Sequence, residues 1–126
     1  KMGETYDLRD QVIEYVIANT DENDMVQAVC RGRIGTSINY KANRLAASRF
    51  SYYGAPAFTE EFNERLNREI ANDIMIKRPK LIIMEKEESI SIMLPYLSNA
   101  NKFKKFINKN YEIAEIDFSA TIYKLK

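Results

Sequence analysis

The chain has 126 residues, 45% of them hydrophobic and 29% charged, which predicts one folded domain that is large enough to bury a core. Nineteen Lys and Arg residues against 18 Asp and Glu residues leave a net charge of +1, which argues against a nucleic-acid binder that relies on overall positive charge. Histidine is absent, so we expect no catalytic triad, no ordinary zinc site and no cofactor.

The first half of the chain predicts a helix, a strand, a short helix and a second strand. Residues 7–19 place apolar side chains at helical spacing, and the acid- and amide-rich stretch 19–24 ends this helix as a turn. The apolar run 24–30 indicates a buried strand, in which the single cysteine, Cys30, is expected to be a small buried residue. A short helix around 34–40 and a second strand at 50–53 follow.

The second half begins with a long helix at 59–77, for which Thr59 is the predicted N-cap and Pro79 the stop signal. An apolar stripe recurs along it every four residues: Phe58, Phe62, Leu66, Ile70 and Ile74. The run 81–84 predicts a central strand that is buried on both faces. Short helical stretches at 89–97 and 101–108 follow, the second with three lysines outward, and residues 111–125 alternate as a β-hairpin does.

This order of segments predicts the α/β class. We expect three layers: a mostly parallel sheet of about five strands, an antiparallel C-terminal hairpin, and helices on both faces. Residues 1–126 read as a single soluble domain, because no run of 18 apolar residues is present. In such α/β units, ligands usually bind at the carboxyl ends of the strands.

The turn after the first predicted strand could bind an anion. Its candidate residues are Arg31, Gly32, Arg33 and Thr36, since glycines allow a close approach to the backbone and arginines can grip a phosphate or carboxylate. The turn matches neither the dinucleotide fingerprint nor the Walker loop. The alternative interpretation is an ordinary connection between a strand and a helix.

A second cluster of candidate residues combines arginine with tyrosine. Tyr40, Arg44, Ser48 and Arg49 lie close together in sequence, and such side chains can contact carbohydrate or lipid phosphate. In the alternative interpretation the tyrosines pack against the long helix and the arginines pair with nearby acids.

These segments together resemble the C-terminal soluble domain of bacterial multi-span membrane glycosyltransferases of the protein O-mannosyltransferase and aminoarabinose-transferase-like group. The resemblance extends from about residue 8 to residue 124, and the segment that contains Arg44 and Ser48-Arg49-Phe50 is its strongest part. In chain order, the matching motifs are the run 12–20, Asp24 with the apolar residues after it, Gly32, Ile38-Asn39-Tyr40, Arg44 with Ser48-Arg49-Phe50, Arg78-Pro79 before an apolar strand, Tyr111 and Tyr123.

The resemblance implies a parent enzyme that moves a sugar from a lipid-phosphate donor to an acceptor on the extracytoplasmic side of the bacterial cytoplasmic membrane. The catalytic acid would lie in the membrane-embedded part of that parent chain, so this domain would be non-catalytic. Its partners would be the membrane-embedded part and a lipid-linked sugar or acceptor. Two alternatives remain open: a soluble binding or regulatory module for a small phosphorylated or anionic ligand, and a stand-alone enzyme.

Overall fold

The computed structural model describes residues 8–30, 34–51, 58–84, 100–117 and 120–126. Four helices and four strands lie in these ranges and confirm the predicted α/β class. In chain order they are α1 (Leu8–Asn19), β1 (Val26–Val29), α2 (Ile34–Ala42), α3 (Glu60–Lys77), β2 (Leu81–Met84), α4 (Ala100–Asn110), β3 (Tyr111–Asp117) and β4 (Ala120–Leu125).

The strands form one mixed sheet in the order β1-β2-β4-β3. β1 and β2 are parallel, with Val26 opposite Leu81, whereas β4 is antiparallel to both β2 and β3. The predicted C-terminal hairpin is therefore present, and its second strand lies inside the sheet. Within the described ranges the sheet has four strands, of which one neighbouring pair is parallel and two are antiparallel.

The expected strand at 50–53 lies only partly in the described ranges. Phe50 and Ser51 are not assigned to a strand, and residues 52 and 53 are outside those ranges. The side chain of Gln27 in β1 contacts the backbone of Ser48 and of Phe50 here, as described below.

β2 lies at the centre of the sheet and is buried on both faces, as predicted. Successive side chains of a strand point to opposite faces, so its four residues divide between two apolar clusters. Leu81 and Ile83 belong to the cluster that contains residues of α1 and α2. Ile82 and Met84 belong to the cluster that contains residues of α3 and α4.

The predicted boundaries of α3 are confirmed, because local contacts determine both ends. The hydroxyl of Thr59 accepts a hydrogen bond from the backbone N–H of Phe62 at 3.1 Å, which caps the first turn. At the other end Arg78 adopts a left-handed backbone with φ of 49°, and its N–H donates to the carbonyl of Ile74 at 2.9 Å. Pro79 then prevents continuation of the helix.

The apolar stripe of α3 is buried along only part of its length. Leu66, Ile70 and Ile74 are at most 2% exposed, but Phe58 and Phe62 are 40% and 37% exposed. The two rings contact each other edge to face, with centroids 5.1 Å apart. The four-residue period therefore identified the core face correctly and extended it too far toward the N-terminus.

α4 follows the segment 85–99, which is outside the described residues and contains the helical turns expected at 89–97. α4 itself confirms the helix expected at 101–108, with Phe103 and Ile107 buried against α3 and the sheet. Its lysines are exposed, as the sequence predicted.

Candidate functional site

Residues 44–51, here called the edge segment, contain three of the predicted site residues and cover the free edge of β1. The backbone N–H of Val26 donates to the carbonyl of Leu45 at 2.9 Å, and that of Cys30 donates to the carbonyl of Ser51 at 3.0 Å. The edge segment runs in the same direction as β1. Between the two contacts it is two residues longer than the stretch from Val26 to Cys30. The edge of the sheet is thus closed by an irregular segment, a common way of protecting an edge strand.

Gln27 holds the edge segment in place from the middle of β1. Its side chain is completely buried, and its oxygen accepts a hydrogen bond from the backbone N–H of Ser48 at 2.7 Å. Its amide nitrogen donates to the carbonyl of Phe50 at 2.8 Å and to that of Ala28 at 2.9 Å. One side chain therefore satisfies backbone groups of the edge segment that would otherwise be buried without partners.

Arg44 joins the ends of α1 and α2. Its guanidinium donates to the hydroxyl of Thr20 at 2.8 Å and to the carbonyl of Thr20 at 3.1 Å. It also donates to the carbonyls of Ala42 at 2.9 Å and Asn43 at 3.3 Å, at the C-terminal end of α2. Four hydrogen bonds within the chain use most of the five donors of this side chain.

Ser48 and Arg49 contact different parts of the molecule. Ser48 is 6% exposed, and its hydroxyl accepts a hydrogen bond from the N–H of Phe50 at 3.3 Å. Arg49 is on the surface, where its guanidinium makes two contacts with the carboxylate of Glu69 on α3, at 2.7 and 3.1 Å. The guanidinium also lies 4.9 Å from the centre of the Phe50 ring.

The contact between Arg49 and Glu69 perturbs both groups. The hydrogen bond from Arg49 is the main cause that lowers the pKa of the Glu69 carboxyl. The same hydrogen bond raises the pKa of the Arg49 guanidinium. Because both groups are largely solvated, this ion pair contributes little to folding stability.

An open groove of about 580 Å³ brings together three predicted site residues and is here called the tyrosine groove. Thr36, Tyr40 and Arg44 line it, and Tyr40 is 83% exposed. Asn39 also lines the groove. Its side-chain nitrogen donates to the carbonyls of Val26 and Arg44, each at 2.9 Å, which fixes its position. The groove offers hydroxyl, amide and ring surfaces that suit contact with a polar ligand such as a sugar.

The predicted site residues are thus distributed over several places. Three of them line the tyrosine groove, whereas Ser48 is buried within the edge segment and Arg49 contacts Glu69 of α3. Arg31, Gly32 and Arg33 are outside the described residues.

A second groove, of about 560 Å³, lies between α3 and α4 and was not predicted as a site. Lys102, Lys105 and Lys109 line it together with the apolar side chains of Ile76 and Phe106, and it is here called the lysine groove. The spacing of the three lysines, three and four residues apart, places them on one side of α4 and was the available sequence signal. The position of α3 beside them could not be read from that spacing.

Further tests of the described residues gave negative results. They contain no group of three or more Cys, Asp or Glu side chains arranged to hold a metal ion. None of the helices in the described ranges combines the length and the apolar composition that a membrane span needs. Comparisons with protein-family models, with curated proteins and with solved structures found no match.

Proposed function

We propose that this chain is a non-catalytic, extracytoplasmic C-terminal domain of a membrane glycosyltransferase that uses a lipid-phosphate-linked sugar donor. The proposal begins from the sequence resemblance, whose strongest segment contains Arg44, Ser48, Arg49 and Phe50. A structural observation supports it: these residues all belong to the edge segment, and each of Arg44, Ser48 and Arg49 is hydrogen-bonded to another part of the domain. A motif that covers the edge of a sheet has a structural role, which suits a non-catalytic accessory domain of an enzyme whose active site lies elsewhere.

The contacts of the two motif arginines support a role without catalysis. Arg44 makes four hydrogen bonds to groups of α1, α2 and the residues after them, and Arg49 is paired with Glu69. Arg44 thus has few donors left for a phosphate, and the charge of Arg49 is already compensated by the carboxylate of Glu69. The chemistry would then be carried out by the membrane-embedded part of the parent chain, on the extracytoplasmic side of the membrane.

The tyrosine groove is the candidate surface for a lipid-linked sugar or an acceptor. Tyr40 presents an exposed ring beside the hydroxyl of Thr36 and the guanidinium of Arg44, a combination that suits the apolar face and hydroxyl groups of a sugar. We propose no cofactor and no nucleic-acid partner for this surface.

The proposal includes the finer architecture: three layers, with helices on both faces of a mostly parallel sheet of about five strands that ends in the antiparallel C-terminal hairpin. The two apolar clusters on alternate residues of β2 support helices on both faces. The hydrogen bond from the N–H of Cys30 to the carbonyl of Ser51 supports a fifth strand at 50–53 beside the end of β1.

Two measurements test the proposal. The coding sequence upstream of residue 1 should encode several segments of about 20 consecutive apolar residues in the same reading frame. The parent enzyme should transfer sugar from a lipid-phosphate donor, and the purified 126-residue chain should not. A short complete reading frame, or sugar transfer by the chain alone, would contradict the proposal.

A further inference from the structure

Three basic side chains line the lysine groove. Lys102, Lys105 and Lys109 line it, and none of their ammonium groups has a hydrogen bond or an ion pair within the described part of the chain. No acidic side chain is among the described residues that line the groove. By contrast, Arg49 and Arg68 on the surface near α3 are each paired with a glutamate.

A fourth positive charge lies at the end of the groove. The guanidinium of Arg78 donates to the side-chain oxygen of Asn110 at 2.5 Å and lies 5.9 Å from the centre of the Phe106 ring. Asn110 and Phe106 both line the groove, so Arg78 adds its charge to that of the three lysines. Four positive charges therefore lie in or beside this groove although the whole chain has a net charge of only +1.

Apolar side chains lie among these charges. Ile76 is 75% exposed, and Phe106 and Met75 are half-buried in the floor of the same groove. Lysine side chains can extend along such a surface and keep their ammonium groups at its rim. The partner that best complements an exposed isoleucine beside unpaired lysines has negatively charged groups directly next to an apolar region.

We propose that the lysine groove binds the headgroups of anionic phospholipids at a membrane surface, with Ile76 inserted toward the acyl boundary. Phospholipid phosphates complement the ammonium groups, and the region below them accepts the isoleucine. A uniformly charged polymer such as polyglutamate or a nucleic-acid backbone would match the charges but would leave Ile76 in water. This inference goes beyond the proposed function and does not depend on it, because binding would be a property of the 126-residue chain alone.

Flotation with lipid vesicles tests the inference. The purified chain should bind vesicles that contain about 30% phosphatidylglycerol in phosphatidylcholine, and it should not bind pure phosphatidylcholine. Binding should weaken as salt is added, because surface charges are screened over about 10 Å at 0.1 M salt. Absence of binding to the anionic vesicles at low salt, or equal binding to both kinds of vesicle, would overturn the inference.

Matched variants separate a local site from overall charge. The double variant Lys105→Gln/Lys109→Gln should lower the affinity for anionic vesicles about 30-fold, since each lysine near such a surface contributes about fivefold. The control Lys41→Gln/Arg65→Gln removes the same charge from exposed positions outside the groove and should retain most of the binding. Equal losses in the two double variants would show a bulk charge effect and overturn the inference.

A second pair of variants tests the apolar contribution. Ile76→Ser should weaken binding about tenfold, because an inserted isoleucine would lose its apolar surroundings. Leu45→Ser is the control, since Leu45 is 73% exposed but lines the tyrosine groove. If Ile76→Ser binds vesicles like the wild type, the isoleucine does not insert and the lipid proposal fails. The proposal also fails if soluble polyglutamate displaces the wild type and Ile76→Ser from vesicles equally, because an acidic polymer is then the better ligand.

Discussion

The edge segment and the lysine groove show two different uses of charged and polar side chains. Arg44 and Arg49 of the edge segment have partners within the chain, as does Gln27 of β1, which contacts the edge segment. Gln27 and Phe50 are 23 positions apart, and Arg44 and Thr20 are 24 positions apart. In the lysine groove, three ammonium groups point to solvent beside an exposed isoleucine. The candidate residues Arg44, Ser48 and Arg49 therefore lie where side chains contact other parts of the chain, and the lysine groove lies elsewhere.

This difference has a physical reason. A buried polar group is costly unless it is hydrogen-bonded, so the irregular cover of β1 needs side chains such as Gln27 and Arg44. Exposed lysines need no partner, since water solvates them. Substitutions in the edge segment should therefore alter folding stability, and substitutions in the lysine groove should alter binding alone.

The largest effect is expected for Gln27→Leu. The substitution leaves the backbone N–H of Ser48 and the carbonyl of Phe50 buried without their present partner, which should lower the free energy of unfolding by about 3 kcal/mol. Urea denaturation followed by circular dichroism measures this change. The control is Gln11→Leu, because the buried side-chain oxygen of Gln11 has no hydrogen-bond partner among the described residues. Similar losses in the two variants would mean that the hydrogen bonds of Gln27 add nothing to the free energy of unfolding.

The next largest effect is expected for Gly35→Ala at the contact between α2 and the edge segment. A Cβ atom at this position would lie 2.8 Å from both the Cβ and the carbonyl oxygen of Ser51, and 3.0 Å from the Cβ of Ala28. We expect a loss of about 2 kcal/mol in the free energy of unfolding. Thr36→Ala, at the adjacent exposed position, should change it little. An unchanged denaturation midpoint for Gly35→Ala would disprove the close packing of α2 on Ser51.

A smaller loss, of about 1.5 kcal/mol, is expected for Arg44→Ala, because its four hydrogen bonds are only partly buried. Arg44→Lys should recover less than half of this loss, since an ammonium group cannot contact Thr20 and the end of α2 together in the same geometry. Thermal unfolding of both variants provides the measurement. Full recovery by lysine would indicate that charge alone matters at this position.

The surface pair of Arg49 and Glu69 should have a small effect that depends on pH. The pKa of Glu69 is lowered below its ordinary value of 4.5, so the pair stabilises the fold above that value. This stabilisation is lost as the pH falls through the lowered pKa of the folded state. The difference in midpoint between wild type and Arg49→Ala should therefore be present at about pH 7 and absent at about pH 2. In a Glu69→Gln background the difference should not depend on pH, and a pH dependence there would contradict this assignment.

The smallest effect on folding is expected in the lysine groove. Lys105→Gln/Lys109→Gln should change the free energy of unfolding by less than about 0.5 kcal/mol, because both side chains are exposed and unpaired. Denaturation curves without lipid provide the measurement. A large loss would mean that these lysines support the fold and would remove the contrast with the edge segment.

Much of the architecture could be predicted because its causes are local. α3 begins at the cap of Thr59 and ends before Pro79, and both signals act within four residues of the helix end. The apolar run of β2 and the alternation in the C-terminal hairpin likewise predicted strands that are present. The exposure of Phe58 and Phe62 could not be predicted, since it depends on how far the neighbouring elements extend over α3.

The sequence by itself determined the α/β class, the central position of β2 and the limits of the longest helix, because periodicity and capping act between near neighbours. Only the tertiary structure decided the contacts of Arg44 and Arg49 and the existence of the lysine groove. Gln27 meets Phe50 across 23 positions and Arg44 meets Thr20 across 24, and the groove needs α3 and α4 side by side. Such long-range contacts depend on how the helices and the sheet pack together, and no local spacing in the sequence specifies them.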